Sequence, residues 1–482
     1  MHNRLVSLTC LHIFLLLASI CAFSFMVHVS YAAVINVPAP YPTIKEAIDA
    51  AADGDTINVS RRSGESQSVY YERLVIDKEL ILVGESRETI IIDGNGTGTV
   101  IRVQADNVEI RGFTVRNGGR KYSAIRANGY SYINVTNNTI KTSKYGVALL
   151  NSYYSTVEQN VFFNNSAAGI SLSDSMGNSV SGNNVSESAY GIKLSSTNTT
   201  FVSGNTVSDN SYGIYVEYSR NNTVADNVLL RNMVEGILPA YSTDITVRNN
   251  SVCESAYGIQ LYESNEVTVL ANTVTENGYS VYLLGSSLSN TIENNTITNS
   301  DWGVTLYDSS GNTLRGNTIS QNTYGVKPTE NSNNNLIYHN NLIDNTEQAV
   351  WNPYCTNTWD NGYPSGGNHW SDYTGTDSNG DGIGDTQYTI DPTNIDRYPL
   401  ITPWGFFHDV AVINVAVSAT KAYVGETVNI TVTAENQGTY TETFNVTAKY
   451  ENTTLAILGT VGTREVTDLA PAENVILTFI WD

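Results

Sequence analysis

The sequence predicts an all-β protein in which a long parallel β-helix is followed by a smaller β-sandwich. Three observations lead to this prediction. A motif recurs every 22 or 23 residues over ten copies, and apolar residues alternate with period two inside each copy. The pattern then changes after residue 407, where longer alternating stretches are separated by turn residues.

Residues 1–32 are predicted to be a secretory signal peptide. They contain one Lys or Arg, Arg4, followed by an apolar run, and they end in Ser30-Tyr31-Ala32, with small residues at the two positions that signal peptidase recognises. We expect cleavage after Ala32. The alternative is an uncleaved membrane anchor, because the apolar run approaches the roughly 20 residues of a spanning helix.

Composition and charge exclude several classes of partner. The chain has 25 Lys and Arg against 47 Asp and Glu, a net charge of −22, and such a surface repels nucleic-acid phosphates and anionic lipid. With four cysteines it is not a disulfide scaffold. The sequence also carries thirteen Asn-x-Ser/Thr sequons, which predict a secreted or cell-surface glycoprotein. We expect no nucleic-acid partner, and membrane contact only through the signal or a C-terminal anchor.

A short helix is predicted to cover the first turn of the β-helix. In "YPTIKEAIDAAADGDTINV", Thr43 and Glu46 have the spacing of a capping box. The apolar residues that follow fall on one face of a helix: Ile44, Ala47, Ile48 and Ala51. A lid of this kind protects the otherwise unpaired strand edges at the end of a stack.

The repeat predicts three short strands per turn over residues 33–353, about fourteen turns in all. Stacking at about 4.8 Å puts equivalent residues directly above one another. The central Asn of each copy should then form a ladder of amide hydrogen bonds at a buried corner. Its members are Asn138, Asn160, Asn183, Asn205, Asn227, Asn250, Asn272, Asn295, Asn317 and Asn340. The region has no 3.6-residue periodicity, so the alternative of a leucine-rich or helical solenoid has no support.

Aromatic residues are the candidate ligand-binding side chains of the β-helix. A Tyr or Trp precedes the repeat's Gly or Ser in most copies, and flat rings along a rod offer sugars apolar area with a polar tip. The alternative is a structural ladder of rings. The candidates are Tyr212, Tyr215, Tyr279, Tyr282 and Trp302. The outward positions lack a stacked pair of acids, which two-carboxylate glycoside hydrolysis requires, so we predict no catalytic residue.

Residues 354–404 are predicted to close the β-helix and to contain a calcium loop. In "DSNGDGIGD", oxygen donors occur at alternate positions with a Gly at the sixth, as in known calcium loops. The ligands would be Asp377, Asn379, Asp381, Asp385 and the backbone carbonyl of Ile383. Position twelve is Tyr388, so another ligand, Asp391 or Asp372, or water would complete the site. The alternative is a metal-free Asp/Asn/Gly turn.

The lid, the "NTI…NSYGI" coils and the closing "GGNHWSDYTGTDSNGDGIGDTQYTID" resemble the right-handed β-helix proteins grouped with NosD and the CASH domains, over residues 36–404. The resemblance implies a right-handed, pectin-lyase-like β-helix. Lyases, hydrolases, epimerases and non-catalytic proteins share such coils, so it implies a fold more than a function. The copper role that the NosD name implies is disfavoured, because Cys253 and Cys355 lie about four and a half turns apart.

Residues 408–482 alternate apolar and polar residues in strands with turns every eight to twelve positions. They resemble the CARDB family of Ig-like modules, and we expect a partial, truncated Ig-like β-sandwich. Together these features predict a non-catalytic secreted or cell-surface protein that binds polysaccharide, glycans or surface proteins in an envelope or adhesion role. The alternatives are a polysaccharide lyase, hydrolase or sugar-modifying enzyme of the CASH type, and a NosD-like accessory protein for a copper enzyme.

Overall fold

The computed structural model describes residues 32–350, 352–405, 410–421, 423, 425–438, 441–452 and 457–481. The predicted signal peptide, apart from Ala32, lies outside the described residues. From Val34 onward the chain forms a parallel β-helix of about 14 turns, as predicted. Each regular turn contributes three short strands, and every strand pairs in parallel with its equivalent on the neighbouring turns.

The first strands of the turns form one parallel sheet of 14 strands, called here the first sheet. Its register keeps the apolar column intact, since Val180 pairs with Val202 and Val202 with Val224. The strands are Val34–Val37, Asp55–Val59, Leu80–Gly84, Glu109–Arg111, Asn134–Thr136, Thr156–Glu158, Ser179–Ser181, Phe201–Ser203, Thr223–Ala225, Thr246–Arg248, Thr268–Leu270, Thr291–Glu293, Thr313–Arg315 and Leu336–Tyr338.

The second and third strands form the second and third sheets, which are joined where Thr114–Asn128 and Thr139–Leu150 continue round the corner. The other second strands are Ser68–Tyr70, Ile90–Asp93, Val161–Phe163, Asn184–Ser186, Thr206–Ser208, Val228–Leu230, Ser251–Cys253, Thr273–Thr275, Thr296–Thr298, Thr318–Ser320, Asn341–Ile343 and His369–Trp370. The other third strands are Leu74–Ile76, Ile101–Val103, Ala168–Ser173, Tyr190–Ser195, Tyr212–Glu217, Glu235–Ala240, Tyr257–Tyr262, Tyr279–Leu284, Trp302–Tyr307, Tyr324–Thr329 and Glu347–Ala349.

The predicted lid helix is confirmed as Ile44–Ala50. Thr43 is its N-cap, and the Thr43 hydroxyl accepts a hydrogen bond from the backbone amide of Glu46 at 3.1 Å. Ile44, Ala47 and Ile48 are buried against the first turns. The lid thereby covers the apolar end of the core.

The core is a column of inward-pointing Val, Ile and Leu side chains, and the Asn ladder lines one of its corners. In a typical step, Asn183 Nδ2 donates to Asn205 Oδ1 at 3.0 Å and to the Val157 carbonyl at 2.8 Å. All ten predicted ladder residues are buried. A second ladder follows the Ser/Asn position further along each copy, as where Asn210 Nδ2 donates to Asn232 Oδ1 at 3.1 Å.

The stack continues past residue 353 for one more strand, because His369–Trp370 pairs with Asn341–Ile343. Trp359 and Trp370 are buried beneath the end of the core, with ring centroids 5.8 Å apart. A short antiparallel pair, Tyr388–Thr389 with Ile395–Asp396, completes this end. The closing segment therefore caps the rod, whose opposite end carries the lid helix.

The C-terminal segment forms two small antiparallel sheets. One contains Val410–Val417, Val428–Asn436 and Asn474–Trp481, and the other contains Glu442–Asn452 and Ile457–Leu469. Phe479 of the three-stranded sheet shares a small apolar core with Val446 and Val466 of the two-stranded sheet. Elsewhere, none of the helices among the described residues has the length and apolar character of a membrane span.

Candidate functional site: the outward face of the third sheet

The outward side chains of the third strands form one surface, called here the third-sheet face, and they range from buried to exposed. In "YGIYVE", Ile214 and Val216 point into the core, whereas Tyr215 and Glu217 point outward. Gly213 precedes them because the turns approach closely here: a Cβ on Gly213 would collide with the backbone oxygen of Gly236. A Cβ on Gly191, one turn earlier, would lie 2.7 Å from the Gly213 oxygen.

The aromatic residues before these glycines stack on one another. Ring centroids are 4.9 Å apart for Tyr190 and Tyr212, and 5.2 Å apart for Tyr257 and Tyr279. Trp302 continues the second run, 5.6 Å from Tyr279 and 4.1 Å from Tyr324. Because each ring covers the face of the next, this column presents mainly ring edges and hydroxyl groups to solvent.

Tyr215 and Tyr282, the two outward candidates of the middle position, lean on the same column. Tyr215 stacks on Tyr190 with centroids 5.3 Å apart, and Tyr282 stacks on Tyr279 at 5.1 Å. Burial raises the pKa of Tyr282 to about 12, and burial together with a hydrogen bond to Glu217 raises the pKa of Tyr215 above its usual range. Both phenols therefore remain neutral hydrogen-bonding groups at physiological pH.

The column is interrupted at Glu235, which sequence inspection missed. It pairs with Tyr212 on the preceding turn and Tyr257 on the following turn, so a carboxyl group takes the place of a ring. Glu235 is 8% exposed, and its Oε2 has no hydrogen-bond partner in the described part of the chain. Burial raises its pKa to about 7. From Tyr190 to Tyr324 all other residues of the column are aromatic, and this break was the signal that could have identified Glu235.

Two lysines compensate the acidic charge and cover rings of this face. Lys193 lies 3.0 Å from Glu217, which also accepts a hydrogen bond from the Ser195 hydroxyl at 2.9 Å. Lys327 places its ammonium 3.7 Å from the Trp302 ring centroid. Lys193 thus pairs with Glu217, the acid nearest Tyr215, whereas Lys327 covers a ring.

Tyr218 and Tyr241 form an exposed pair at the edge of this face, and sequence inspection missed them as well. Their ring centroids are 5.0 Å apart and the planes differ by 8°. Tyr218 is 61% exposed and Tyr241 is 40% exposed. Other turns have Asp174, Ser196, Glu263, Gly285, Asp308 or Glu330 at this position. The detectable signal was a tyrosine where turn-forming residues are the rule.

Both tyrosines adopt the left-handed backbone conformation, with φ of +49° at Tyr218 and +51° at Tyr241. This conformation favours Gly, Asn and Asp and is unfavourable for bulky side chains. The preceding turn carries only the small Ser196 at this position, so no ring there covers the outer face of Tyr218. Tyr262 contacts Tyr241 edge-on at 5.1 Å and so supports the pair from the other side.

The predicted calcium loop is folded by its own side chains. Asp377 accepts from the backbone amides of Gly380 and Gly382 at 2.7 and 2.9 Å, and Asp381 accepts from Ile383 at 2.9 Å. Asp385 accepts from the hydroxyl and amide of Ser378.

The residues considered for completing the calcium site make other contacts. Asp391 bonds to Thr393 and Asn394, whereas Asp372 accepts from the Tyr388 hydroxyl at 3.1 Å. Within the described ranges, no three His, Cys, Asp or Glu side chains are grouped to hold a metal ion.

Two family models match parts of the chain. The model of the right handed beta helix region matches residues 87–229 and 123–274. The model of the periplasmic copper-binding protein (NosD) matches residues 230–375. The chain is a right-handed β-helix repeat protein. No curated protein matches it.

The described residues do not fit a copper site. Cys253 and Cys355 are separate free thiols, and burial raises the pKa of both. His339 stacks on Trp404 with centroids 3.4 Å apart and bonds to the Ser365 carbonyl at 2.7 Å. Copper prefers clustered Cys, Met or His ligands, whereas Cys253 lies on a strand in the middle of the rod and His339 and Cys355 lie near its end.

Solved structures share the architecture at low similarity. The A-module of a mannuronan C-5 epimerase from Azotobacter vinelandii is 17% identical, with a TM-score of 0.43, and the alignment covers 65% of this chain and 94% of that one. The DFA-IIIase of Arthrobacter chlorophenolicus is 14% identical, with a TM-score of 0.38, covering 67% and 93%. The Dettilon tailspike protein is 12% identical, with a TM-score of 0.41, covering 93% of each chain. With TM-scores below 0.5, these likenesses carry no argument about function.

Proposed function

We propose that this β-helix repeat protein is an extracytoplasmic polysaccharide-binding protein, and that the Tyr218–Tyr241 pair is the centre of its binding surface. The observation that carries the proposal is an exposed stacked pair held in a backbone conformation that tyrosine disfavours. A left-handed tyrosine costs of the order of 1 kcal/mol, yet two adjacent turns carry one at a position where other turns have Ser, Gly, Asp or Glu. Ring faces open to solvent offer the apolar area on which sugar rings pack.

The neighbouring third-sheet face supplies the polar part of such a surface. Tyr212, Tyr215, Tyr279, Tyr282 and Trp302 present ring edges, and the tyrosines also present hydroxyls. Proteins recognise sugars mostly through hydrogen bonds to the sugar hydroxyl groups. Phenol and amide side chains can both donate and accept such hydrogen bonds. A rod with equivalent residues every 4.8 Å or so suits a repeating polymer better than a small molecule.

A second candidate function is a sugar-modifying enzyme that uses Glu235 as a single general acid or base. Glu235 supports it because a buried carboxyl group with an unpaired oxygen lies between the tyrosines of two turns. A pKa near operating pH suits proton transfer. The middle outward positions beside it are Leu238 and Gln260, so a second carboxyl group for two-acid hydrolysis is lacking there.

The closing segments would serve attachment and stability. We propose that the loop of Asp377, Asn379, Asp381, Ile383 and Asp385 binds calcium weakly and structurally, and the spacing of its oxygen donors is the support for this. We also propose that the two C-terminal sheets form an Ig-like module of the CARDB type that presents the rod at the cell surface. Their antiparallel pairing and shared apolar core support a sandwich.

The experiment that tests the function is a glycan panel probed with the exported chain, residues 33–482, and scored for both retention and product release. We expect retention of one class of polysaccharide with no new reducing or unsaturated ends. Product release that Glu235→Gln abolishes would favour the enzyme. Neither retention nor release on any glycan would contradict both candidates.

A further inference from the structure

Positive charge is concentrated in the early turns of an otherwise acidic chain. Residues 101–150 contain eight of the 25 Lys and Arg but only two of the 47 Asp and Glu. The remaining turns and the C-terminal segment are therefore strongly acidic. A local reversal of sign on a low-dielectric surface attracts anions to that region.

Two of these arginines are neighbours on the third-sheet face. Arg102 and Arg126 pair in register, so their Cα atoms lie on adjacent strands about 4.8 Å apart. They belong to the same outward column as Lys193 and Tyr215 further along the rod. Both side chains are exposed, and neither forms a salt bridge within the described residues.

Most other arginines of the rod form salt bridges. Arg116 pairs with Asp93 at 2.7 Å, and Arg231 pairs with Asp209 at 2.9 Å. Like charges directly opposite each other on neighbouring strands are destabilising. An uncompensated pair of this kind is the arrangement expected where a ligand supplies the negative charge.

A cleft of about 440 Å³ lies over the two arginines. Its lining includes Arg102, Gln104, Tyr122, Arg126, Asn128 and Tyr130. Planar guanidinium groups bind carboxylate or sulfate oxygens in a bidentate manner, amides bind hydroxyls, and tyrosine rings pack on sugar faces. Tyr122 is 44% exposed, so it is accessible to a ligand. The cleft thus combines anion-binding and sugar-binding groups.

We propose that this cleft binds an anionic sugar residue, so that the polysaccharide recognised by the protein is acidic. The inference rests on the proposed function. Arg126 precedes Tyr215 by four turns in the same column, which corresponds to roughly 19 Å along the rod. One extended chain on the third-sheet face can therefore reach both the arginines and the Tyr218–Tyr241 pair.

The test is binding by the exported chain to three oligosaccharides of equal length: one carrying carboxylates, one carrying sulfates and one neutral. We expect the double variant Arg102→Gln/Arg126→Gln to lose about tenfold or more in affinity for an anionic oligosaccharide, as expected for two charge-assisted hydrogen-bonding groups. Affinity for the neutral chain should not change. The carboxylate and sulfate arms identify which anion is bound.

Arg111→Gln is the control for the loss of positive charge, since it removes one arginine from the same turns but lies on the first sheet and is already paired with Glu109. Arg102→Lys/Arg126→Lys keeps the charge and should recover only part of the affinity. Equal affinity for anionic and neutral chains, or an equal loss in Arg111→Gln, would overturn the inference.

Free anions separate a polysaccharide site from a simple ion site. Acetate and inorganic sulfate should compete only at concentrations far above that of the oligosaccharide. Competition at equal concentration would overturn the polysaccharide assignment. Failure of the proposed function itself is distinguishable, because then none of the three oligosaccharides would bind the native chain.

Discussion

Asn340 donates its side-chain amide to Oδ1 of Asn368 over 2.9 Å, and the backbone amide of Asn368 donates to a carboxylate oxygen of Asp396 at 2.7 Å. The ladder thus runs one turn beyond its last predicted copy and ends on an acceptor-only group. A carboxylate is suited to this end, because it has no N–H that would remain unsatisfied. Trp370 also donates to Asp396, at 2.9 Å.

Asn183 and Asn184 provide an adjacent pair for testing the ladder. Asn183 is 1% exposed and accepts from the backbone amide of Asn160 at 3.0 Å, whereas Asn184 is exposed. Asn183→Ala should destabilise the rod by at least about 2 kcal/mol, because it leaves buried backbone groups unpaired. Asn184→Ala should change the free energy of unfolding by less than about 0.5 kcal/mol. Thermal unfolding of both variants checks this, and equal midpoints would contradict the ladder's role.

The raised pKa of Glu235 predicts that the free energy of unfolding falls as pH rises. Its folded pKa of about 7 exceeds its ordinary value of 4.5, so between these values the folded state holds the proton more tightly than the unfolded state. The stabilising contribution is full below about pH 4.5 and is lost as pH rises through 7. Its size is up to about 3 kcal/mol.

Glu235→Gln should flatten this pH dependence, measured as melting temperature from pH 4 to 8. Asp396 contributes in the same direction, since burial raises its pKa to about 6, so some slope will remain in the variant. Glu254→Gln, an exposed carboxylate near the same turn, is the control and should retain the native profile. A native slope in Glu235→Gln would show that this carboxyl group is not responsible.

Glu235→Tyr should make the aromatic column continuous. The new ring would lie between Tyr212 and Tyr257 and remove a buried carboxyl group with an unpaired oxygen. Each aromatic contact contributes about 0.5–1.5 kcal/mol beyond area burial. We expect a higher melting temperature at pH 8 than for the native chain. A lower one would mean that the site has no room for a ring.

Calcium binding at the loop has a direct test. Millimolar calcium should raise the melting temperature of the rod's closing segment, since it would neutralise carboxylates that are close in sequence. Asp381→Ala should abolish the rise, and Asp49→Ala, an exposed acid on the lid helix, should not. Asp377 and Asp381 already accept hydrogen bonds from loop amides. If calcium does not raise the melting temperature of the native chain, these side chains serve only to stabilise the turn.

The fold was predictable because a strict repeat determines its own register. Thr43, the ten ladder residues and the inward Val and Ile columns occupy the predicted places, since each turn repeats the same local chemistry. The exposed pair was not predicted, because Tyr218 and Tyr241 break a turn column. Glu235 breaks an aromatic one. Both features are deviations from the repeat, so a consensus built on the repeated residues does not show them.

The Arg102–Arg126 neighbours were missed for a different reason. The turns before residue 130 are longer and irregular, so their register is not fixed by the 22- to 23-residue period. Only the strand pairing places both arginines on one face. Similarly, the spacing of the loop acids predicted oxygen donors but not their hydrogen bonds to loop amides.

Binding of polysaccharide by the Tyr218–Tyr241 pair is tested most directly by the variant Tyr218→Gly/Tyr241→Gly. Gly tolerates the left-handed backbone and occurs at the equivalent position as Gly285, so relief of strain should offset the lost stacking and leave the melting temperature nearly unchanged. Affinity for the polysaccharide retained by the native chain, measured by titration calorimetry, should fall about tenfold or more. Phe201→Thr, which removes a 40% exposed ring from the first sheet, should bind like the native chain. Native affinity in the double tyrosine variant would contradict the account.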